Sequence, residues 1–115
     1  MTITMYAIPN CDTVKKARAW LDDHQIAYVF HDYKKSGVPA DRLATWVADA
    51  GWETVLNRAG LTFKKLADAD KAGIDAARAI TLMTAQPSMV KRPIVEYAGG
   101  RLIGFKPDDW KAALL

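Results

Sequence analysis

The sequence predicts one α/β domain: a β-α-β unit opens the chain, a β-β-α unit closes it, and a helical segment lies between. Three observations predict it. Residues 2–8 are rich in β-branched and aromatic side chains, and Pro9-Asn10 turns the chain into a run of helix formers. Residues 93–97 and 101–105 read as two strands joined at Gly99-Gly100, a hairpin signal. Residues 39–88 show helical spacing and are too many for a single crossover helix, so they form a helical subdomain.

Each element follows from its own residues. Residues 13–24 read as a helix with Ala17, Trp20, Leu21 and His24 on one face. Residues 27–31 form a short strand, and residues 34–39 a loop. A helix at 41–50 turns Leu43, Trp46, Val47 and Ala50 to one side, and Gly51 suits its C-terminal end. Short helical turns are predicted at 54–57 and 62–66, the second capped by Thr62. A longer helix at 74–84 directs Ala77, Ile80 and Leu82 inward, and Gln86-Pro87 breaks it. Pro107 suits the first turn of a last helix that ends near Leu114. A cysteine in the first βα turn, within β-α-β followed by β-β-α, is the thioredoxin-type arrangement. The predicted thioredoxin-like core spans about 1–38 and 89–115, with the helical insertion at about 39–88.

Composition narrows the function classes. Half of the 115 residues are apolar and a quarter are charged, which is ordinary for a globular chain. One cysteine excludes an intramolecular disulfide. No apolar signal precedes the first strand and no run is long enough to span a membrane, so a cytoplasmic, reduced setting is expected. A net charge of +3, spread along the chain, suits small anionic ligands rather than direct nucleic-acid binding. His24, His31 and one cysteine do not make a zinc site, and no glycine-rich phosphate loop is present. The four tryptophans read as packing residues.

Cys11 carries the candidate chemistry. A free cysteine is usually a small core hydrophobe. This one falls at the junction of a strand and a helix, where unpaired helix N–H groups and the macrodipole favour an anion. A thiol placed there ionises more readily, and the thiolate is the reactive form. Lys15 and Lys16 add positive charge one turn on and Asp12 opposes them, which leaves the sign of the local field open. Arg58, Arg92, Arg101 and Lys106 sit in loops or at element ends and are candidates for holding an anionic substrate. Arg101, at the start of a hairpin strand, is expected on the surface.

Four segments carry a family resemblance: Pro9-Asn10-Cys11-Asp12-Thr13, Leu56-Asn57-Arg58, Lys91-Arg92-Pro93-Ile94-Val95 and Gly104-Phe105-Lys106-Pro107. With them the chain resembles the ArsC/Spx family, of the glutaredoxin-coupled arsenate reductase type, over nearly its whole length. The YffB-type subgroup is the nearest. The resemblance implies that Cys11 is the nucleophile and that Arg58, Arg92 and Lys106, with Thr13, bind the substrate anion beside it. Lys106 stands where the family's third arginine is, keeping the charge but not the planar bidentate fork. Ala7 replaces a histidine that tunes the family cysteine. Val14 replaces a serine of the arsenate reductases and the second cysteine of the Cys-x-x-Cys switch in Spx-type regulators. The resemblance also implies a cis bond before Pro93.

Three functions follow from it. The first is a glutathione-dependent thiol reductase, with no bound cofactor and glutathione or a glutathionylated thiol as co-substrate; lacking a resolving cysteine, it needs an external thiol. The second is arsenate reduction at the same site, coupled to glutaredoxin. The third is a non-catalytic, Spx-like regulator that binds RNA polymerase or another protein.

Overall fold

The structure is a computed structural model that describes residues 2–115. Strand β1 (Thr4–Ala7) runs through the middle of a four-stranded sheet, and Met5, Tyr6 and Ala7 are buried. It pairs in parallel with β2 (Val29–Asp32) and antiparallel with β3 (Ile94–Tyr97), which pairs antiparallel with β4 (Gly100–Ile103). The order is therefore β2-β1-β3-β4. The parallel pair requires a crossover, and α1 (Asp12–Asp23) supplies it. Helix α8 (Pro107–Leu114) starts on proline, as the sequence predicts. The sheet with its flanking helices is a mixed α/β fold with a thioredoxin-like core.

Alternation along the strands sends Met5, Ala7 and Val95 to one face. There they pack with Val14, Ala17 and Leu21 of α1 and Trp110 of α8. Trp110 meets the Trp20 and Phe105 rings edge-on, at 5.7 and 4.9 Å between centroids. Its Nε1–H donates to the Gly104 carbonyl at 3.0 Å, so the buried indole leaves no polar atom unsatisfied. His24 lies on the α1 face that was expected to point inward but is exposed. It forms the C-cap, its Nδ1 2.8 Å from the Trp20 carbonyl and its ring 4.1 Å from that of Trp20.

The chain divides into two compact units: residues 2–36 with 92–115, which hold the sheet, and residues 37–91. The second begins with α3 (Ala40–Ala50), whose Leu43, Trp46 and Val47 are buried. Gly51 ends it at φ +88°, a conformation that L side chains rarely adopt, and donates its N–H to the Val47 carbonyl. Short helices α4 (Trp52–Val55), α5 (Leu61–Lys64) and α6 (Asp68–Lys71) follow, then α7 (Ala76–Ala85) and a 3₁₀ turn at Pro87–Met89. Residues 89–91 belong to this unit through their backbones. The Asn57 N–H donates to Met89, that of Lys91 donates to Val55, and Leu56 bridges Val90.

Several local expectations are corrected. The loop expected from residue 34 begins with a helical turn, α2 (Tyr33–Ser36), because the Asp32 carboxylate accepts the Lys34 N–H at 2.8 Å. Thr62 caps nothing; it lies inside α5, and its hydroxyl shares a hydrogen bond with Ser88 at 2.9 Å. Helix α6 was not foreseen. Helix α7 buries Ala79 and Met83, one turn apart; of the three residues expected to face inward, Ile80 and Leu82 are half-buried and Ala77 is exposed. In the hairpin Tyr97 pairs with Gly100, so Ala98-Gly99 makes the turn.

The start of α7 is set by Asp75, whose carboxylate accepts the Arg78 N–H at 2.8 Å. Asp75→Ala removes this cap and is expected to destabilise the chain by about 1 kcal/mol. A urea midpoint equal to that of the parent protein speaks against the cap's contribution.

Candidate functional site

Cys11 stands at the N-cap of α1 with an extended backbone (φ −115°, ψ 129°), and its carbonyl accepts the Lys15 N–H at 2.9 Å. The Pro9-Asn10 turn lifts the chain off the end of β1, which leaves the sulfur at the head of the helix. The thiol is half-buried, against the cluster of Met5, Val14 and Trp110. It closes no full capping hydrogen bond. The N–H groups of Val14 and Thr13 nevertheless act on the sulfur and favour its anion.

Burial is the largest influence on this thiol and by itself raises its pKa. The Val14 N–H, a hydrogen bond from the Arg92 guanidinium, the charge of Arg92 and the Thr13 N–H oppose it and together prevail. Cys11 is therefore held below the ordinary thiol value. Arg92 reaches the sulfur through topology. β3 runs antiparallel to β1, so its entry lies at the end of the sheet where β1 leaves for Cys11. The Arg92–Pro93 peptide bond there is cis.

The other candidates from the sequence are placed as follows. Thr13 is exposed in the first turn of α1 and faces the sulfur with its backbone N–H. Lys106 is the exposed N-cap of α8 and lines a cavity of about 250 Å³ with Arg101, Gly104, Asp109 and Trp110. Arg101, expected on the surface, is half-buried. Arg58 belongs to the unit of residues 37–91, exposed, with its guanidinium 5.6 Å from the centre of the Trp52 ring. Residues with metal-binding side chains are not gathered: among the described residues no three His, Cys, Asp or Glu cluster around a common point. Among the described residues no helix is long and apolar enough to cross a membrane.

Sequence reasoning passed over Tyr33. Its side chain is 1% exposed, beside His31, and its hydroxyl makes no hydrogen bond. The local signal was the Asp32 carboxylate, which accepts the Lys34 N–H where β2 passes straight into α2, the helix that Tyr33 opens.

The fold and site together place, at one end of a thioredoxin-like sheet, a cysteine at the first helix N-terminus whose anion is favoured, with an arginine acting on its sulfur. The ArsC family pattern matches residues 6–113, and the chain belongs to this family. A solved structure named YffB protein is 57% identical, with a TM-score of 0.95 over 98% of this chain and 99% of its own, and the YffB-type subgroup is where the chain falls. An arsenate reductase related protein from Brucella melitensis is 54% identical, with a TM-score of 0.78 over 97% of this chain and 93% of that one. The global transcriptional regulator Spx of Streptococcus mutans is 30% identical over 97% of this chain and 82% of its own length. Redox chemistry and regulation are thus both represented among the names of the relatives.

Proposed function

We propose that the chain is a single-thiol reductase acting on glutathione mixed disulfides. The observation that carries this reading is the Arg92 guanidinium on a half-buried Cys11 sulfur whose pKa lies below the ordinary value. The thiolate attacks the glutathione sulfur of R–S–S–G. A Cys11–glutathione disulfide forms, the original S–S bond breaks, and the R–S⁻ thiolate leaves and takes a proton from solvent. A second glutathione thiolate then attacks the Cys11-bound glutathione sulfur, restoring the Cys11 thiolate and releasing glutathione disulfide. Because Cys11 is the chain's one cysteine, both electrons come from glutathione. The resemblance extends the anion-binding role to Arg58 and Lys106, and a raised KM in Arg58→Ala and in Lys106→Ala tests it.

The test couples glutathione release to glutathione reductase and follows NADPH. A mixed disulfide is expected to drive NADPH oxidation; arsenate is expected to add little, because Lys106 lacks the arginine fork and Ala7 replaces the tuning histidine. Oxidation that depends on arsenate and exceeds disulfide exchange reverses that order.

The similarity to Spx favours a second reading, a protein-binding regulator. Val14 stands where a second cysteine is needed, so an intrachain Cys-x-x-Cys switch cannot form. Glutathionylation of Cys11 is one redox input still open to such a regulator. No turnover of either substrate, together with binding of purified RNA polymerase, supports the regulator over the enzyme.

A further inference from the structure

Behind Arg92 lies a polar group that the thiol chemistry has not used. Tyr33 follows directly on the end of β2, and Arg92 stands two residues before β3. Both strands border β1, so Tyr33 and Arg92 flank the end of the sheet from which the chain runs to Cys11. The Tyr33 ring lies 6.2 Å from that of His31, which lies 5.2 Å from that of Tyr6. The charged and titratable groups facing Tyr33 are Tyr6 from β1, His31 from β2, Arg92 from the entry to β3 and Glu96 from β3. Arg92 is thus shared: its charge acts on the Tyr33 hydroxyl on one side, and its guanidinium bonds the Cys11 sulfur on the other.

The hydroxyl itself is anomalous. Tyr33 is 1% exposed, and its oxygen has no hydrogen-bond partner. Buried polar atoms are nearly always paired, because an unpaired one keeps the cost of leaving water without compensation. Phenylalanine fills the same space without that cost. Burial, the first cause, pushes the Tyr33 pKa far above the ordinary phenol value, so the group stays a neutral dipole with free lone pairs at any working pH.

We propose that Tyr33 is a positioning residue for the Cys11 site, its hydroxyl oxygen accepting a second guanidinium N–H when Arg92 turns from its present contact with the sulfur to hold the fully ionised thiolate or an anion bound beside it. The oxygen then gains its missing partner in the engaged state, and the arginine is held in the orientation that stabilises charge on the sulfur. Tyr33 touches neither the sulfur nor a substrate and acts only through Arg92. The inference rests on Cys11 being a stabilised thiolate and is independent of which disulfide or protein the thiolate serves.

The experiment measures iodoacetamide alkylation of Cys11 against pH in the parent protein, Tyr33→Phe, Arg92→Ala and the double variant, with thermal unfolding of each. Tyr33→Phe is expected to raise the apparent Cys11 pKa by about half a unit, the size of one modest hydrogen bond. In the Arg92→Ala background the same change is expected to do nothing further. A parent-like alkylation profile in Tyr33→Phe, with a raised unfolding temperature, makes the hydroxyl a mere core defect and overturns the proposal. A shift that persists without Arg92 overturns the route through it. An ordinary thiol titration in the parent protein removes the thiolate reading itself, which keeps the two failures distinguishable.

Discussion

Replacing Cys11 by serine is expected to bring turnover of a glutathione mixed disulfide down to the uncatalysed rate while leaving the fold in place. Serine matches cysteine closely in size, and the site is only half-buried, so little packing is lost. The chemistry is lost because a hydroxyl at this helix end stays protonated and forms no disulfide-like intermediate. A linked stability effect accompanies it. The folded-state pKa of Cys11 is depressed, so its contribution to stability is fully present above the unfolded thiol pKa and disappears as pH falls through the folded value. The stability gap between the parent and Cys11→Ser is therefore expected to widen toward alkaline pH. Urea unfolding across that range checks it, and a gap that narrows with rising pH contradicts the assigned direction. Residual turnover in Cys11→Ser means that the chemistry lies elsewhere.

Arg92→Ala is expected to have the next largest effect, through two separable routes. Removing the cation and its hydrogen bond raises the Cys11 pKa by about one unit, in the range found for an opposite charge in contact. Below both pKa values this leaves roughly a tenth of the former thiolate, but a more basic sulfur is also a better nucleophile, so intrinsic alkylation slows by only about threefold. Turnover suffers more. A charged hydrogen bond to an anionic substrate group is worth about 1.5–3 kcal/mol, which corresponds to a loss of roughly tenfold to a hundredfold in kcat/KM. Comparing alkylation with kcat/KM separates the routes: equal losses in both indicate that Arg92 serves the sulfur alone. Arg92→Lys tests the geometry, since it restores the charge without the planar fork.

Local signals made the frame legible. The β-branched run before Pro9-Asn10, the glycines of the hairpin and the proline that opens α8 act through nearest neighbours, and the elements they predict are present. The interior of residues 37–91 was harder to read. The short helices α4, α5 and α6 each have only four residues, too few for a periodicity to emerge, and the register of α7 depends on which side meets the core. The family pattern is carried by motifs rather than by composition, and for that reason it could be read from one chain.

By itself the sequence determined the order of the four strands and of the helices that open and close the sheet unit, the family and the position of one thiol at a helix N-terminus, because each is encoded in short stretches of chain. The tertiary structure alone decided how that thiol is poised. Burial opposes ionisation of Cys11 and the nearby donors favour it, and the outcome depends on the approach of Arg92, some eighty residues distant and delivered by the antiparallel pairing of β3 with β1. Tyr33 lost its solvent, and with it any partner for its hydroxyl, in the same assembly. Desolvation and charge act through space over a few ångströms, and only folding sets which groups come that close.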